Sequence, residues 1–240
     1  MLEFYHDLGV ILYHPHAKPP LQDLVILDPK WLIGVFKRVI TVLNRRERKG
    51  IDVTPQAQAR QKKEGILEDG FITSMWKEFL TSDDPEKNME TKSALLSLME
   101  TYDLLVKQDP CCQKNEAVKG SKASTQCYYV PSLFPDPKPA DLRSQPVSGS
   151  TVFYIDFGSF LPGGIVHRLM ARAIGWSQAQ GAKHLPTLTR SMSTFYADDR
   201  HKLRLQVISK RIMVAVMPAV IKGGVSNTSA DPNTTFKVCW

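Results

Sequence analysis

Apolar residues in the first forty positions change their spacing, and the change predicts a helix–strand–strand–helix unit. Phe4, Tyr5 and Leu8 recur at the three-to-four residue spacing of one helical face, and Gly9 follows where a left-handed conformation ends a helix at little cost. Continuous apolar runs at 10–13 and 24–27 stand on either side of a loop rich in Pro, His and Lys. Their composition predicts two adjacent strands.

A capped amphipathic helix is predicted directly after the second run. Asp28 places a carboxylate where the free backbone N–H groups of a helix start need an acceptor, and Pro29 lacks an N–H that would have no partner there. The pattern continues to about residue 43 with one broad apolar face, so we expect the helix to pack on a core and Trp31 to anchor it. The apolar face comprises Trp31, Leu32, Val35, Phe36, Val39, Ile40 and Leu43, opposite Lys30, Gly34, Lys37, Arg38 and Thr41.

The remainder of the first half predicts helices followed by a hairpin. The charged segment 44–64 is interpreted mainly as a solvated loop, and helical spacing returns at 73–80 and at 85–102. Apolar runs at 104–106 and 127–130 can pair as strands across a polar tract. This order is typical of a winged helix, and residues 1–135 are therefore predicted to form a first, winged-helix-like subdomain.

A second subdomain is predicted beyond a proline-rich stretch. Residues 136–150 have the composition of a linker. Residues 151–240 then predict a strand at 152–157, a helix at 165–175 and three antiparallel strands, which gives an α+β fold for this part and for the chain. The tail ends in a short apolar run that resembles a severed strand, so this subdomain is predicted to be truncated. The predicted helix places Ile165, Leu169, Ala173 and Ile174 inward and Arg168 and Arg172 outward.

Several phrases together resemble the COR domain, the C-terminal-of-Roc module of Roco proteins, a group that includes the leucine-rich-repeat kinases. A helix, a glycine and an aliphatic strand ending in an aromatic residue or His match residues 9–14, and a strand running into an acidic-Pro-Lys-Trp-Leu helix start matches 24–32. Residues 128–133 resemble the family's strand into the linker between subdomains. Residues 160–169 resemble the start of the second subdomain's helix.

The resemblance implies a regulatory module without catalytic residues, cofactor or metal. Such domains pack against the Roc GTPase, relay its nucleotide state to neighbouring domains and in many members carry dimer contacts. The implied partners are thus a Roc GTPase domain and possible second copies of the chain, without a small-molecule substrate, and the parent protein can also be a kinase. Each candidate below is equally compatible with a core or plain surface position. The candidates for the GTPase-facing side are Val25, Leu27 and Trp31, and those for subunit contact are His167, Arg168 and Arg172.

Charge leaves a nucleic-acid-binding winged helix as the main alternative. The net charge is +7, and a basic run at 45–49, continued by Arg60, Lys62 and Lys63, is suited to phosphates. DNA readers place basic residues on the helix before the wing, however, and that predicted helix at 85–102 carries three Glu and two Lys. Nucleic acid is therefore the less favoured partner.

Motifs of known enzymes are missing from the sequence. No GxxxxGK[ST] phrase is present to cradle phosphates, nor are kinase, HExxH or GxSxG phrases, so this chain alone is not expected to hydrolyse GTP. His6, His14 and His16 lack a pattern of further ligands, and the four cysteines show no CxxC spacing, which predicts free thiols and no zinc site. The longest apolar run, 212–221, is shorter than the about 20 residues that span a bilayer, which favours a cytoplasmic protein.

Overall fold

Short helices and three antiparallel sheets make up the computed structural model, which describes residues 1–43, 50–109, 126–143, 149–181 and 184–219. Among these residues, no helix is both long and apolar enough to cross a membrane. The helices are α1 (Leu2–Asp7), α2 (Pro29–Ile40), α3 (Pro55–Glu64), α4 (Asp69–Trp76), α5 (Pro85–Thr101), α6 (Pro139–Arg143) and α7 (Gly163–Ala179). The strands are β1 (Leu12–Tyr13), β2 (Val25–Ile26), β3 (Ile66–Glu68), β4 (Val106–Lys107), β5 (Cys127–Tyr129), β6 (Thr151–Asp156), β7 (Thr187–Leu188), β8 (Met192–Tyr196), β9 (His201–Ile208) and β10 (Arg211–Pro218).

Each sheet is antiparallel, and the mixed α+β class predicted from the sequence is confirmed. Strands β1 and β2 form a pair, β3, β5 and β4 form a second sheet in that order, and the largest sheet has the order β6-β10-β9-β8-β7. The predicted pairing of the runs at 104–106 and 127–130 is present as β4 against β5, with Val106 opposite Tyr129. The winged-helix arrangement of the first part stays a prediction.

Helix ends follow local chemistry in the sequence. Asp28 caps α2, Thr54 caps α3 and Asp84 caps α5, and in each case the side chain accepts a hydrogen bond from a backbone N–H while a proline takes the first helical position. At the far end of α3, Gly65 has a φ of +67°. A Cβ there would lie 2.5 Å from Cδ1 of Phe134, so both the backbone and the neighbour require glycine.

The first hydrophobic core lies among α2, α4 and α5. Trp76 and Val35 are fully buried in it, and the aliphatic face of α2 packs there as the sequence predicted. Trp31, expected to anchor that face, is instead 36% exposed. The expectation was wrong because Trp31 stands at the edge of the apolar arc, and the indole that fills the core comes from α4.

A second core joins the two parts of the chain. Ile66 on β3, Tyr129 on β5 and Phe134 share one buried cluster with Met170 and Ile174 on α7 and with residues of the largest sheet. Helix α7 is therefore packed between the small three-stranded sheet and the large one. The predicted division into 1–135, 136–150 and 151–240 stays a prediction, and α6 lies within the predicted linker.

Three predicted elements differ from the structure. The segment 44–64 was interpreted as loop, yet α3 occupies its second half and includes Arg60, Lys62 and Lys63; the basic run 45–49 lies outside the described residues. Helix α4 begins four residues before the predicted 73–80, since its first N–H, on Asp69, bonds to the carbonyl of Gln126. The inner face of α7 carries Val166 and Met170, whereas Ile165 is 39% exposed.

Candidate interaction surface

Helix α1 is attached to the protein by its last turn and leaves its apolar side chains in solvent. None of its residues is buried, and Phe4 and the C-cap residue Leu8 are 62% and 59% exposed. Gly9, at φ +72°, reverses the chain, and the Tyr13 N–H donates to Nδ1 of His6 at 3.4 Å. The three-to-four spacing predicted a helical face here, and the structure shows that the rest of the described chain does not cover it.

The strand pair after α1 separates inward from outward residues. Val25 lies opposite Tyr13 and is half-buried, and the next residue, Ile26, is 5% exposed. Leu27 then points the other way and is 76% exposed, because successive side chains of an extended chain alternate between faces. Of the predicted GTPase-facing residues, Leu27 is thus the most accessible.

Asp28 fixes the position at which the chain turns from Leu27 into α2. Its Oδ1 accepts a hydrogen bond from the N–H of Lys30 at 2.9 Å. Within the first turn, Trp31 meets Phe79 edge to face with ring centroids 6.1 Å apart, and Arg38 lies over the Phe79 ring at 5.9 Å. Trp31 therefore packs against the turn that follows α4, while 36% of its surface stays exposed.

Exposed apolar side chains are concentrated in this first unit. Ten of the twenty large hydrophobic residues that are exposed in the described chain lie within the first 42 positions. A cluster of exposed apolar residues typically marks a site of protein contact, whereas single ones are ordinary. Sequence reasoning did not name Ile33, although an isoleucine among the polar positions of α2 is a signal that can be read from the sequence. We give the name N-terminal surface to six of these exposed residues together with the half-buried Val25: Phe4, Leu8, Val10, Val25, Leu27, Trp31 and Ile33.

Two of the predicted subunit-contact residues meet on one carboxylate. Arg168 and Arg172, one turn apart on α7, donate through Nε to Oδ2 of Asp103 at 3.2 and 3.0 Å. The Asp103 side chain is 13% exposed, against 58% and 53% for the arginines. Sequence reasoning missed Asp103, because its partners lie 65 and 69 residues away.

His167 does not join this cluster. It is half-buried, and burial together with the charge of Arg190 lowers its pKa. The structure therefore brings Arg168 and Arg172 together and places His167 on a different part of α7. Its neutral imidazole is suited to packing more than to an ion pair.

A cleft of about 370 Å³ lies between the α5–β4 junction and α7. Gln178 spans it, donating through Nε2 to the Lys107 carbonyl at 3.0 Å and accepting from the Asp109 N–H at 3.3 Å. Burial raises the pKa of Glu100, which lines the same cleft. Its other lining residues include no base paired with a nucleophile. We therefore interpret the cleft as a packing contact between α5, β4 and α7.

The cysteine and metal-ligand side chains of the described residues do not form a second candidate site. Cys127 is a buried thiol that accepts a hydrogen bond from Nη1 of Arg60 at 3.7 Å, and burial raises its pKa, so it resists becoming a reactive thiolate. The free-thiol prediction for Cys111, Cys112 and Cys239 lies outside the described residues. In the ranges that the structure describes, no three His, Cys, Asp or Glu side chains come together as metal ligands could.

Comparison with known proteins identifies the family of this chain's first part and a relative of most of its length. The family model described as C-terminal of Roc, COR-A domain, matches residues 1–134. The probable serine/threonine-protein kinase pats1 of Dictyostelium discoideum is 25% identical over 182 residues, covering 74% of this chain and 5% of the kinase. The chain thus spans about one-twentieth of the length of that relative. The whole N-terminal surface lies inside the family match.

Proposed function

Since this chain belongs to the COR-A (C-terminal of Roc) family, we propose that it is a regulatory and dimerisation module that packs against a Roc GTPase. COR domains are a non-catalytic region of Roco proteins, whose Roc domain is the GTPase. The observation that carries the proposal is the concentration of exposed apolar side chains on the N-terminal surface. Burying such surface against a partner is the main favourable term in protein association.

The proposed relay follows from differential contact. A GTPase reorders its switch loops with the bound nucleotide, and it can bias a packed neighbour only by making different contacts in the two states. Leu27 and Trp31 offer such contacts, because Leu27 is 76% exposed and Trp31, beside Phe79, is 36% exposed. Val25 supports them from the β1–β2 pair. The proposed setting is intracellular signalling in the cytoplasm.

The dimerisation part of the proposal uses the outer face of α7. Arg168 and Arg172 each donate to Asp103 through Nε. The other N–H groups of each guanidinium can then bind a carboxylate of a second copy. Both side chains are more than half exposed. His167, which lies on a different part of α7, enters the proposed contact only as a half-buried packing residue.

A second candidate role is that of one segment of a larger Roco protein kinase. The observation that favours it is the match to the probable kinase pats1, of which this chain covers 5%. Kinase phrases are missing from the sequence of this chain, so in this alternative the catalytic domains would belong to the parent protein.

Binding of a Roc domain tests the proposal. The full chain is titrated with the Roc domain of a Roco protein, loaded with GDP or with a GTP analogue, in an isothermal calorimeter. We expect affinity to differ between the two nucleotide states, and we expect Leu27→Ser to weaken binding about tenfold or more, as for an interface anchor. Leu185→Ser changes an exposed leucine outside the family match and should leave binding unchanged. Equal failure of both nucleotide forms to bind would overturn the proposal.

A further inference from the structure

Tyr102 and Asp103 are consecutive residues in the turn that ends α5, and they contact different parts of the protein. The N–H groups of Tyr102 and Asp103 donate to the carbonyls of Leu98 and Glu100, both at 3.0 Å. Asp103 has a φ of +58°, a left-handed conformation that Asp adopts more readily than most residues. Backbone hydrogen bonds and the helix end therefore fix the position of one side chain relative to the other.

Tyr102 connects the turn to the unit that carries the N-terminal surface. Its hydroxyl lies 3.2 Å from Nε2 of His14, which directly follows β1. The His14 ring meets the His6 ring of α1 edge to face at 5.5 Å, and Nδ1 of His6 accepts from the Tyr13 N–H. The Phe36 ring of α2 lies 6.4 Å from that of Tyr102. A displacement of α1, β1 or α2 would therefore change the contacts that Tyr102 makes.

Asp103 connects the same turn to α7. Its shielded carboxylate accepts from both Arg168 and Arg172, and charge-assisted bonds to a partly buried carboxylate are stronger than those of an exposed pair. Gln178 fastens the far end of α7 to the strand that follows the turn. A displacement of the turn therefore moves the acceptor that orients the two arginines.

We propose that the Tyr102–Asp103 turn couples the N-terminal surface to the outer face of α7. The inference rests on the proposed function and adds its regulation: a GTPase that shifts α1, β1 and α2 changes the geometry at Tyr102, and Asp103 transmits the change to Arg168 and Arg172. The contacts form one continuous physical chain from His6 to α7, which is the kind of network that carries energetic coupling between sites. The apolar cluster around α7 keeps that helix in place while the arginines reorient.

The first test removes one hydroxyl and follows α7 without any partner. Amide hydrogen exchange of the full chain is compared for wild type, Tyr102→Phe and Tyr154→Phe, the last removing a hydroxyl from an exposed tyrosine on β6. The proposal expects Tyr102→Phe to speed exchange in α7 several-fold and Tyr154→Phe to leave α7 unchanged. Faster exchange confined to α1 and β1 in the Tyr102→Phe variant would overturn it.

The second test reads the coupling in the opposite direction, because coupling between two sites is reciprocal. The ring resonances of His14 are followed by NMR in Asp103→Asn and, should that variant not fold, in Arg172→Gln. Asp156→Asn is the matched control, since it breaks the exposed Arg211–Asp156 pair on the large sheet. Shifts in His14 for the first two variants and none for the control are expected; an unmoved His14 would contradict the proposal. Both tests omit the GTPase, so failure to bind Roc with intact coupling would overturn the proposed function alone.

Discussion

The indole Nε1 of Trp76 donates a hydrogen bond to the backbone carbonyl of Val35 at 3.0 Å, and both residues are fully buried. This bond ties α4 to α2, the helix that carries Trp31 and is capped by Asp28, so the core and this part of the N-terminal surface share one support. A buried N–H without a partner is costly, which is why a tryptophan at this depth is fixed in orientation.

Replacing Trp76 should therefore cost far more than replacing Trp31. Trp76→Phe removes the bond to Val35 and leaves a cavity, and we expect the free energy of unfolding to fall by about 2–4 kcal/mol. Trp31→Phe keeps most of the ring contact with Phe79 and should change it by less than about 1 kcal/mol. Urea unfolding followed by circular dichroism measures both. Equal losses for the two variants would contradict the assignment of Trp76 as the core anchor.

A similar contrast exists between two glycines. Gly65→Ala requires an L-residue at φ +67° and places a Cβ 2.5 Å from Phe134, so we expect a loss of about 2 kcal/mol or more. Gly70→Ala lies in the first turn of α4 with open space around it and should be neutral or stabilising by up to about 1 kcal/mol. Thermal unfolding of the two variants shows whether the conformation or merely the loss of glycine matters.

Local signals in the sequence predicted most elements, and contacts distant in sequence account for what was missed. The Asp28-Pro29 pair predicted the start of α2, because a cap acts on the N–H groups beside it, and helical spacing predicted α5 from residue 85. Helix α3 was missed since it buries only Ala57 and Gln61 and thus has no apolar stripe to recognise. Periodicity located the face of α2 but not its edge, so the exposure of Trp31 was not predictable.

The candidate site was also predicted only in part, because local sequence signals do not encode contacts between residues that are distant along the chain. Leu27 stands out in the sequence as the last residue of a strand before a cap, and the structure leaves it exposed. The joining of Arg168 and Arg172 by Asp103 depends on where α5 ends relative to α7, a tertiary relationship that no spacing along the chain encodes. Their assignment as subunit contacts stays a prediction.

Tyr128 should make the protein lose stability in strongly alkaline solution. Burial, with added effects of Asp69, Glu100 and Cys127, raises its pKa to about 12. The unfolded chain releases this proton from about pH 10, so between pH 10 and 12 the unfolded state binds fewer protons and stability falls as pH rises. The loss approaches the order of 2–3 kcal/mol by pH 12. Tyr128→Phe should flatten this part of the stability curve, and an unchanged slope would refute the assignment.

His14 should produce a smaller loss of stability on the acid side. Its pKa is lowered by burial and by the nearby His6. The unfolded state therefore binds the proton first as the pH falls below the ordinary value of about 6.5, and stability decreases until the folded-state pKa is passed. NMR titration of the ring protons measures the pKa directly. His14→Gln should remove the effect, whereas His184→Gln, at an exposed histidine, serves as the control.

Asp28 links helix stability to the proposed contact with the GTPase, because its carboxylate caps α2 and the residue lies directly between Leu27 and that helix. Asp28→Ala removes the bond to the Lys30 N–H, and we expect the free energy of unfolding to drop by about 1 kcal/mol. Asp84→Ala removes the equivalent cap of α5, at 3.0 Å from the Glu86 N–H, and should cost a similar amount. The two variants should separate in calorimetric binding of the Roc domain: Asp28→Ala weakens it, since frayed residues Leu27 and Trp31 must be reordered on association, and Asp84→Ala does not. Equal binding by both variants would show that the start of α2 lies outside the contact.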